Sequence, residues 1–327
     1  MQWEKFITKN YKMKISIIGT GGVGGYFGAK IAKAGYDVTF VARGEHLKAI
    51  QKNGLTIKSI LGDFKLDKVK VTDRIQDIGA MELIIIGVKA WQVKEVANVL
   101  KSVVKEKTIV MPLQNGVLAI DELKEQISKD NIIGGLCRIM SKIESPGIIN
   151  HFGIEPTIVF GEVDNSITER IQLVKELFDK SGINSKISDD INSDLWKKFI
   201  SICVSGLLAL TKTTYGELRE LKETLKLMVD LLTEIYHLSQ KIGIQIEPEF
   251  LTNTIAFIDS FPYDSTGSLT RDVWEGKPSE IDYQNGTVVK LAQKFGVDTP
   301  INRFIYNCIL PMELKARKNV NTVQNKG

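Results

Sequence analysis

Six residues constrain this chain more than any others: Gly19-Thr20-Gly21-Gly22-Val23-Gly24, which follow an apolar run, Lys14 to Ile18, and lead into an amphipathic one, Gly25 to Ala34. A second apolar run, Asp37 to Ala42, completes a strand, turn, helix, strand order, the pattern of a βαβ unit. In such a turn the first glycine makes the tight bend, the second admits a pyrophosphate to the backbone, and the third lets helix and strand pack closely. The phosphates would rest on the unpaired N–H groups of the helix N-terminus. Gly19, Thr20, Gly21, Gly22, Val23 and Gly24 are therefore read as dinucleotide-binding. The plain alternative, a glycine turn without a ligand, is disfavoured by the strand before it and the helix after it.

The second strand ends in Val41-Ala42-Arg43-Gly44. An NAD enzyme usually carries an acidic residue there, about 20 residues past the glycines, to hold the ribose 2′-hydroxyl. Arg43 stands in its place, and a guanidinium can fork onto a 2′-phosphate and stack on adenine, which favours NADP(H). A solvated strand-end arginine, paired with nearby Glu45, is the alternative.

Further strands are expected at Leu83 to Val88, Thr108 to Leu113 and Ile132 to Leu136, with a helix over Trp91 to Val104. This alternation specifies a mostly parallel sheet. Leu55 to Ile60 and Phe64 to Val71 flank Leu61-Gly62-Asp63 as a hairpin would, and Gly147 to Gly161 reads as another strand pair. Beyond about Asp189 the pattern becomes helical: Ile191 to Leu210, Glu217 to Ile242, Pro248 to Ile258, Ser279 to Phe295 and Pro300 to Leu314. Ser279 and Asp282 form a capping-box pattern, and Gly243 and Gly296 are stop signals. The fold class is thus α/β, a Rossmann-type mostly parallel sheet followed by an all-helical C-terminal domain. A chain of 327 residues is long for one core. The division expected is an extension over 1–12, a nucleotide-binding domain over 13–188, a helical substrate domain over 189–314 and a polar, disordered tail over 315–327.

A net charge of +4, spread along the chain, leaves no footprint for nucleic acid or a membrane surface. No segment reaches the about 18 apolar residues of a membrane span, and the first dozen residues lack a secretory apolar run. Cys137, Cys203 and Cys308 are far apart, odd in number and lack metal-ligand spacing, which suits free thiols in a reducing compartment and disfavours disulfides and a structural zinc. A cytoplasmic location without a metal follows. His46, His151 and His237 form no triad and read as structural or surface residues.

Four more segments carry chemistry: Val88-Lys89-Ala90-Trp91-Gln92-Val93, Gln114-Asn115-Gly116-Val117, Leu195-Trp196-Lys197-Lys198-Phe199, and Ser268-Leu269 through Glu280-Ile281-Asp282-Tyr283-Gln284-Asn285-Gly286. In this order, with the glycine motif and Arg43, they resemble the ketopantoate reductase family from Met13 to about Pro311. The resemblance implies hydride transfer from NADPH to the C2 carbonyl of ketopantoate (2-dehydropantoate), giving pantoate for pantothenate and coenzyme A. It implies Lys198 as general acid, Glu280 as the glutamate that binds the substrate hydroxyl and contacts the lysine, and Ser268 as a substrate-binding serine. Asn115 corresponds to an active-site asparagine, and Lys89 to a lysine near cofactor and substrate.

Each residue also has a physical reading. Lys198 would donate a proton to, and stabilise charge on, the carbonyl oxygen. It shares a helical stripe with Ile202 and Gly206, whereas Lys197 aligns with Asp194, Ser201 and Ser205 on a more polar face. Taken alone, Glu280 reads as a helix-start acid and Asn115-Gly116 as a turn. Asn115 and Lys89 follow strands of the parallel sheet, at the edge where ligands bind in such folds.

The resemblance weakens at two positions. Family members carry asparagines four and eight residues past the lysine; here Ile202 and Gly206 stand there. The spacing to Gly216-Glu217-Leu218 is one residue short, so a local shift would bring Ser205 to the second site. Losing two amides removes hydrogen-bonding groups from the pocket and admits a less polar 2-oxo acid. An NADPH-sensing protein without catalysis and, more distantly, a sugar-acid decarboxylating dehydrogenase are also compatible with the two-domain plan. The partners implied are a small 2-oxo acid and, compatibly, a second copy of the chain as a homodimer, with neither nucleic acid nor membrane.

Overall fold

Lys14–Ile18 forms strand β1, buried beyond its first residue, and Gly22–Lys33 forms helix α1, whose Tyr26, Phe27 and Ile31 face the same core. The computed structural model describes residues 13–324, so the expected extension over Met1 to Lys12 lies outside the described residues. The chain continues through β2 (Asp37–Val41), α2 (Gly44–Asn53), β3 (Leu55–Ser59), β4 (Phe64–Leu66), β5 (Lys70–Thr72), β6 (Leu83–Ile86), α3 (Val93–Leu100) and β7 (Ile109–Pro112). Then come α4 (Ala119–Lys124), β8 (Ile133–Ser145), β9 (Ile148–Glu162), α5 (Glu169–Lys180) and β10 (Asn184–Ile187). The helical part comprises α6 (Ile191–Ile202), α7 (Val204–Thr211), α8 (Tyr215–Glu220), α9 (Lys222–Ile242), α10 (Glu249–Asp259), α11 (Ser268–Trp274), α12 (Asn285–Phe295) and α13 (Pro300–Gln324).

One sheet is wholly parallel, in the order β5-β2-β1-β6-β7, with Ile15 opposite both Val38 and Leu83. Every residue of β6 and β7 is buried, the pattern of strands covered on both faces. The second sheet runs β10-β9-β3-β4, with β8 antiparallel to β9. The hairpin around Leu61-Gly62-Asp63 forms as expected between β3 and β4. Lys70–Thr72 departs from it and joins β2 in the parallel sheet.

Two strand expectations are corrected. Only Ile132 pairs with the parallel sheet, through a single bridge to Val110; from Ile133 onward the chain packs against β7 but pairs with β9 across the Pro146-Gly147 turn. Gly147, at φ 82°, supplies the left-handed conformation that this turn needs. Gly147 to Gly161 is therefore not a strand pair but most of one long strand, β9, whose apolar partner lies before it in sequence.

The chain divides into two compact units, one of residues 1–114 and 118–191, the other of Asn115–Val117 and residues 192–327. The second unit is all helical. Its core gathers Phe199, Ile200, Leu207, Met228, Leu231, Ile235, Ile305 and Ile309, and burying each such side chain stabilises the unit by about 1.5–3 kcal/mol. Among the described residues, no helix is long and apolar enough to cross a membrane.

Several expected helices are interrupted, each for an identifiable reason. Ile191 to Leu210 breaks at Cys203, because Asn285 Nδ2 donates to the Cys203 carbonyl at 3.2 Å and Gly206 N–H closes a three-residue turn onto the same oxygen at 3.2 Å. Glu217 to Ile242 breaks at Leu221, which is extended. Ser279 to Phe295 contains a 3-10 turn over Ile281–Tyr283 before α12. The Ser279/Asp282 capping box does not form, since the Ser279 hydroxyl donates to the buried Glu313 carboxylate, a stronger acceptor. Residues 315–324 are not a disordered tail: α13 runs through Pro311 to Gln324, held by buried Glu313 and Ala316.

Candidate active site

In the first unit the glycine turn has the geometry its three roles require. Gly19 has φ +93° and lies so close to the end of β6 that a Cβ would stand 2.7 Å from the Val88 nitrogen. A Cβ on Gly24 would meet the Gly19 carbonyl at 2.2 Å and Ile17 at 3.0 Å, so helix and strand are in backbone contact. Gly21 has nothing within 4 Å of its Cβ position. This open face, at the N-cap of α1 and ahead of its first-turn N–H groups, fits a pyrophosphate. Thr20 Oγ1 donates to Val41 O at 2.9 Å, and the Thr20 and Gly19 amides reach the same oxygen, which ties the turn to β2. Gly22 begins α1 against the Ser141 carbonyl, and Val23 packs on the first core.

Arg43 follows β2 as the N-cap of α2, with a side chain 61% exposed and a loose 3.6 Å pair to Glu95. Glu45, expected beside it, pairs instead with Lys48. An exposed ion pair of this kind contributes about 0–1 kcal/mol, so the guanidinium is available to a phosphate at little expense. Lys89 caps the 3-10 turn after β6 and lies 5.8 Å above the Trp91 ring. Gln114, to which the sequence assigned no role, donates from Nε2 to Ile86 O at 2.9 Å and Val88 O at 3.0 Å, holding the end of β6 in place.

His46, read as structural, is close to this turn. Its Nδ1 accepts from the Gly147 amide at 3.0 Å, and burial pushes its pKa below the usual histidine value, partly opposed by the Thr20 backbone.

The second unit carries the other set. Lys198 lies on α6 and is 7% exposed; Lys197 beside it pairs with Glu247 at 2.8 Å and approaches the Phe250 ring. Glu280, 5% exposed, precedes the 3-10 turn, and Asn115 Nδ2 donates to its Oε2 at 3.2 Å. Gly116, at φ +100°, has the Tyr283 carbonyl 2.9 Å from its Cβ position, so only glycine lets the Asn115 turn approach this segment. Five residues beyond Lys198, the Cys203 carbonyl accepts from Asn285. One buried amide thus joins the Lys198 helix to the segment that begins at Glu280.

Ser268 opens α11 and is exposed. Its neighbour Gly267 touches Ser205, whose hydroxyl would lie 2.0 Å from a Cβ there, and Thr270 Oγ1 donates to Ser205 O at 2.8 Å. Beyond the turn at Cys203, Ser205 lies against the start of α11. Burial drives the Tyr215 hydroxyl up to about 12, moderated by its hydrogen bond with Ser205. The structure brings together Asn115 and Glu280 directly; Lys89, Arg43 and the glycine turn belong to the first unit.

The profile of the family described as Ketopantoate reductase PanE/ApbA matches residues 15–165, and that of its C-terminal part matches residues 190–313. The chain belongs to the ketopantoate reductase family. It is 29% identical over 297 residues to an uncharacterized oxidoreductase of Bacillus subtilis, YkpB, covering 90% of this chain and 97% of that one. It is 28% identical over 319 residues to the 2-dehydropantoate 2-reductase of a Nostoc strain, covering 95% and 99%. Among solved structures, the 2-dehydropantoate 2-reductase of Geobacter metallireducens superimposes with a TM-score of 0.85 at 27% identity, over 91% of this chain and 99% of that one.

The two positions four and eight residues past Lys198 differ in kind, the first closing α6 and the second lying on α7. Ile202 is half-buried on the Lys198 stripe. Gly206 is sealed: a Cβ there would stand 2.3 Å from Asn285 Oδ1 and 3.0 Å from Ile305, so no amide can be carried at that position.

Proposed function

We propose that this oxidoreductase reduces 2-dehydropantoate to pantoate with NADPH, in the route to pantothenate, and that it does so in the cytoplasm. The observation that carries the reading is that one helical unit buries both a lysine, Lys198, and a glutamate, Glu280, whose Oε2 is already held by Asn115. Burial of two ionisable side chains is unfavourable unless each has a partner or a task. A nucleotide sensor without catalysis has no need of such an acid and carboxylate.

NADPH supplies the hydride when bound. The N–H groups at the start of α1 would hold its pyrophosphate beside open Gly21, and Arg43 would take the 2′-phosphate. Lys89 contributes positive charge beyond β6. Lys198 donates its proton to the C2 oxygen of the substrate as charge builds there. Glu280 accepts from the substrate hydroxyl, with Asn115 fixing the rotamer of the carboxylate, and Ser268 hydrogen-bonds the substrate. A homodimer is the assembly we propose for the working enzyme.

A second reading, a reductase of a less polar 2-oxo acid, is favoured by Ile202, which puts a branched apolar side chain one helical turn beyond Lys198. Turnover with NADPH on ketopantoate, set beside 2-oxo acids of the same carbon skeleton without the hydroxyl, separates the two. The first reading expects ketopantoate to be preferred. Preference for the acid without the hydroxyl would establish the second, and tight NADPH binding with no turnover on any acid would reject both.

A further inference from the structure

Four polar residues of α13 lie on one face at spacings of four, seven and four: Asn302, Tyr306, Glu313 and Arg317. All four hydrogen-bond the segment from Ser279 to Asn285. Asn302 Oδ1 accepts from Asn285 Nδ2 at 3.0 Å, and Tyr306 OH donates to Asp282 Oδ1 at 2.7 Å. Glu313 Oε2 accepts from both the Ser279 amide, at 2.8 Å, and the Ser279 hydroxyl, at 2.7 Å. Arg317 Nη2 donates to the Ser279 carbonyl at 3.3 Å, while its Nε pairs with Glu313 Oε1 at 2.6 Å. The far end of the same helix is anchored by Glu234, whose carboxylate accepts the Ile301 and Asn302 amides and the Asn302 side chain.

Every polar atom of Ser279 is thus engaged by α13, and the next residue is Glu280. Glu313 is 2% exposed. Stability alone does not call for such an arrangement, because a buried ion pair is often no better than apolar packing of the same volume. Its geometric effect is specific: it fixes the backbone one residue before the carboxylate, while Asn115 fixes the carboxylate itself.

We propose that this face of α13 is a splint that positions Glu280, with Glu313 and Arg317 as the positioning residues. The inference rests on the reading of Glu280 as a substrate-binding group. It assigns a role to Arg317, beyond the point at which the sequence pattern of the helix runs out.

The test pairs backbone hydrogen exchange with a double-mutant cycle. In Glu313→Leu the splint predicts faster exchange in residues 279–285 than elsewhere in the second unit, NADPH affinity unchanged, and kcat/KM lowered about tenfold or more. Glu313→Gln, which keeps an acceptor oxygen for Ser279, should recover most of that loss. In a Glu280→Gln background the Glu313→Leu change should cost less than about threefold, because the group being positioned is gone. Tyr306→Phe, which removes only the bond to Asp282, is a milder probe and should show the same local pattern should Glu313→Leu not fold. Exchange raised evenly across the unit, or fully additive losses in the cycle, would overturn the splint. A wild-type protein inactive on every 2-oxo acid would instead overturn the proposed reaction, and the exchange pattern alone would then decide the splint.

Discussion

Asn115 and Glu280, far apart in sequence, meet through a hydrogen bond from Nδ2 to Oε2 of 3.2 Å. The Asn115 turn belongs to the helical unit although the sequence on either side of it belongs to the other. Asn115→Ala leaves one oxygen of a buried carboxylate without its donor, at about 1–3 kcal/mol. We expect kcat/KM for the 2-oxo acid to fall about 10- to 100-fold, with the NADPH dissociation constant moving far less. Asn115→Asp should do more harm at neutral pH, since two carboxylates would share the site. Steady-state kinetics of the two variants at neutral pH check both expectations.

Arg43 has an exposed side chain and a weak partner, so its removal should leave stability within about 0.5 kcal/mol. Arg43→Ala should raise KM for NADPH by about tenfold or more while leaving KM for NADH nearly unchanged, because only the former carries a 2′-phosphate. Initial rates with both nucleotides give the answer directly. Equal losses would show that Arg43 does not read the phosphate.

Gly206 has no room for a methyl group against Asn285 Oδ1. Gly206→Ala should destabilise by about 1–3 kcal/mol, read from denaturant midpoints, and Gly206→Asn by more. Ile202→Asn faces a half-buried position and should fold. If ketopantoate is the substrate, Ile202→Asn should lower its KM, whereas preference for a less polar acid predicts the opposite.

Tyr215 titrates near 12 instead of 10 because it is buried. A phenol whose folded-state pKa is raised contributes stability that is fully present below about pH 10 and lost as pH rises through about 12, as the unfolded chain releases its proton first. For Tyr215 the loss is on the order of 2–3 kcal/mol. Tyr306, held near 12 by burial and by Asp282, acts in the same direction. Wild-type melting temperature should therefore fall between pH 10 and 12, and Tyr215→Phe should fall less steeply over that interval.

What was legible in the sequence follows from locality. The glycine turn, β1, β2, β6 and β7 are contiguous patterns with local causes, and the structure contains them as read. The β8–β9 hairpin was missed because its pairing is decided by a partner strand and by Pro146-Gly147, whereas a short apolar run such as Ile132 to Leu136 carries no mark of which sheet it joins. The break at Cys203 depends on Asn285, far along the chain, and the continuation of α13 past Pro311 depends on Ser279. Helical periodicity records neither. In the candidate site, Lys198 was separable from Lys197 by helical stripe. The place of Gly267 beside Ser205, and the closure of position 206, were not readable, because they arise from contacts between helices. The splint was visible only as polar residues at spacings of four, seven and four, a pattern that gains meaning once its partners are known.

Above all, the proposed reaction requires Lys198 to protonate the C2 oxygen of ketopantoate as NADPH delivers hydride. NADPH oxidation and pantoate formation, followed together at saturating nucleotide for wild type and Lys198→Ala, test that requirement. Wild type should form one pantoate for each NADPH consumed, and the variant should show a kcat lower by about 10²- to 10⁴-fold with NADPH binding retained. Wild-type-like turnover by Lys198→Ala, or NADPH oxidation without pantoate, would contradict that role.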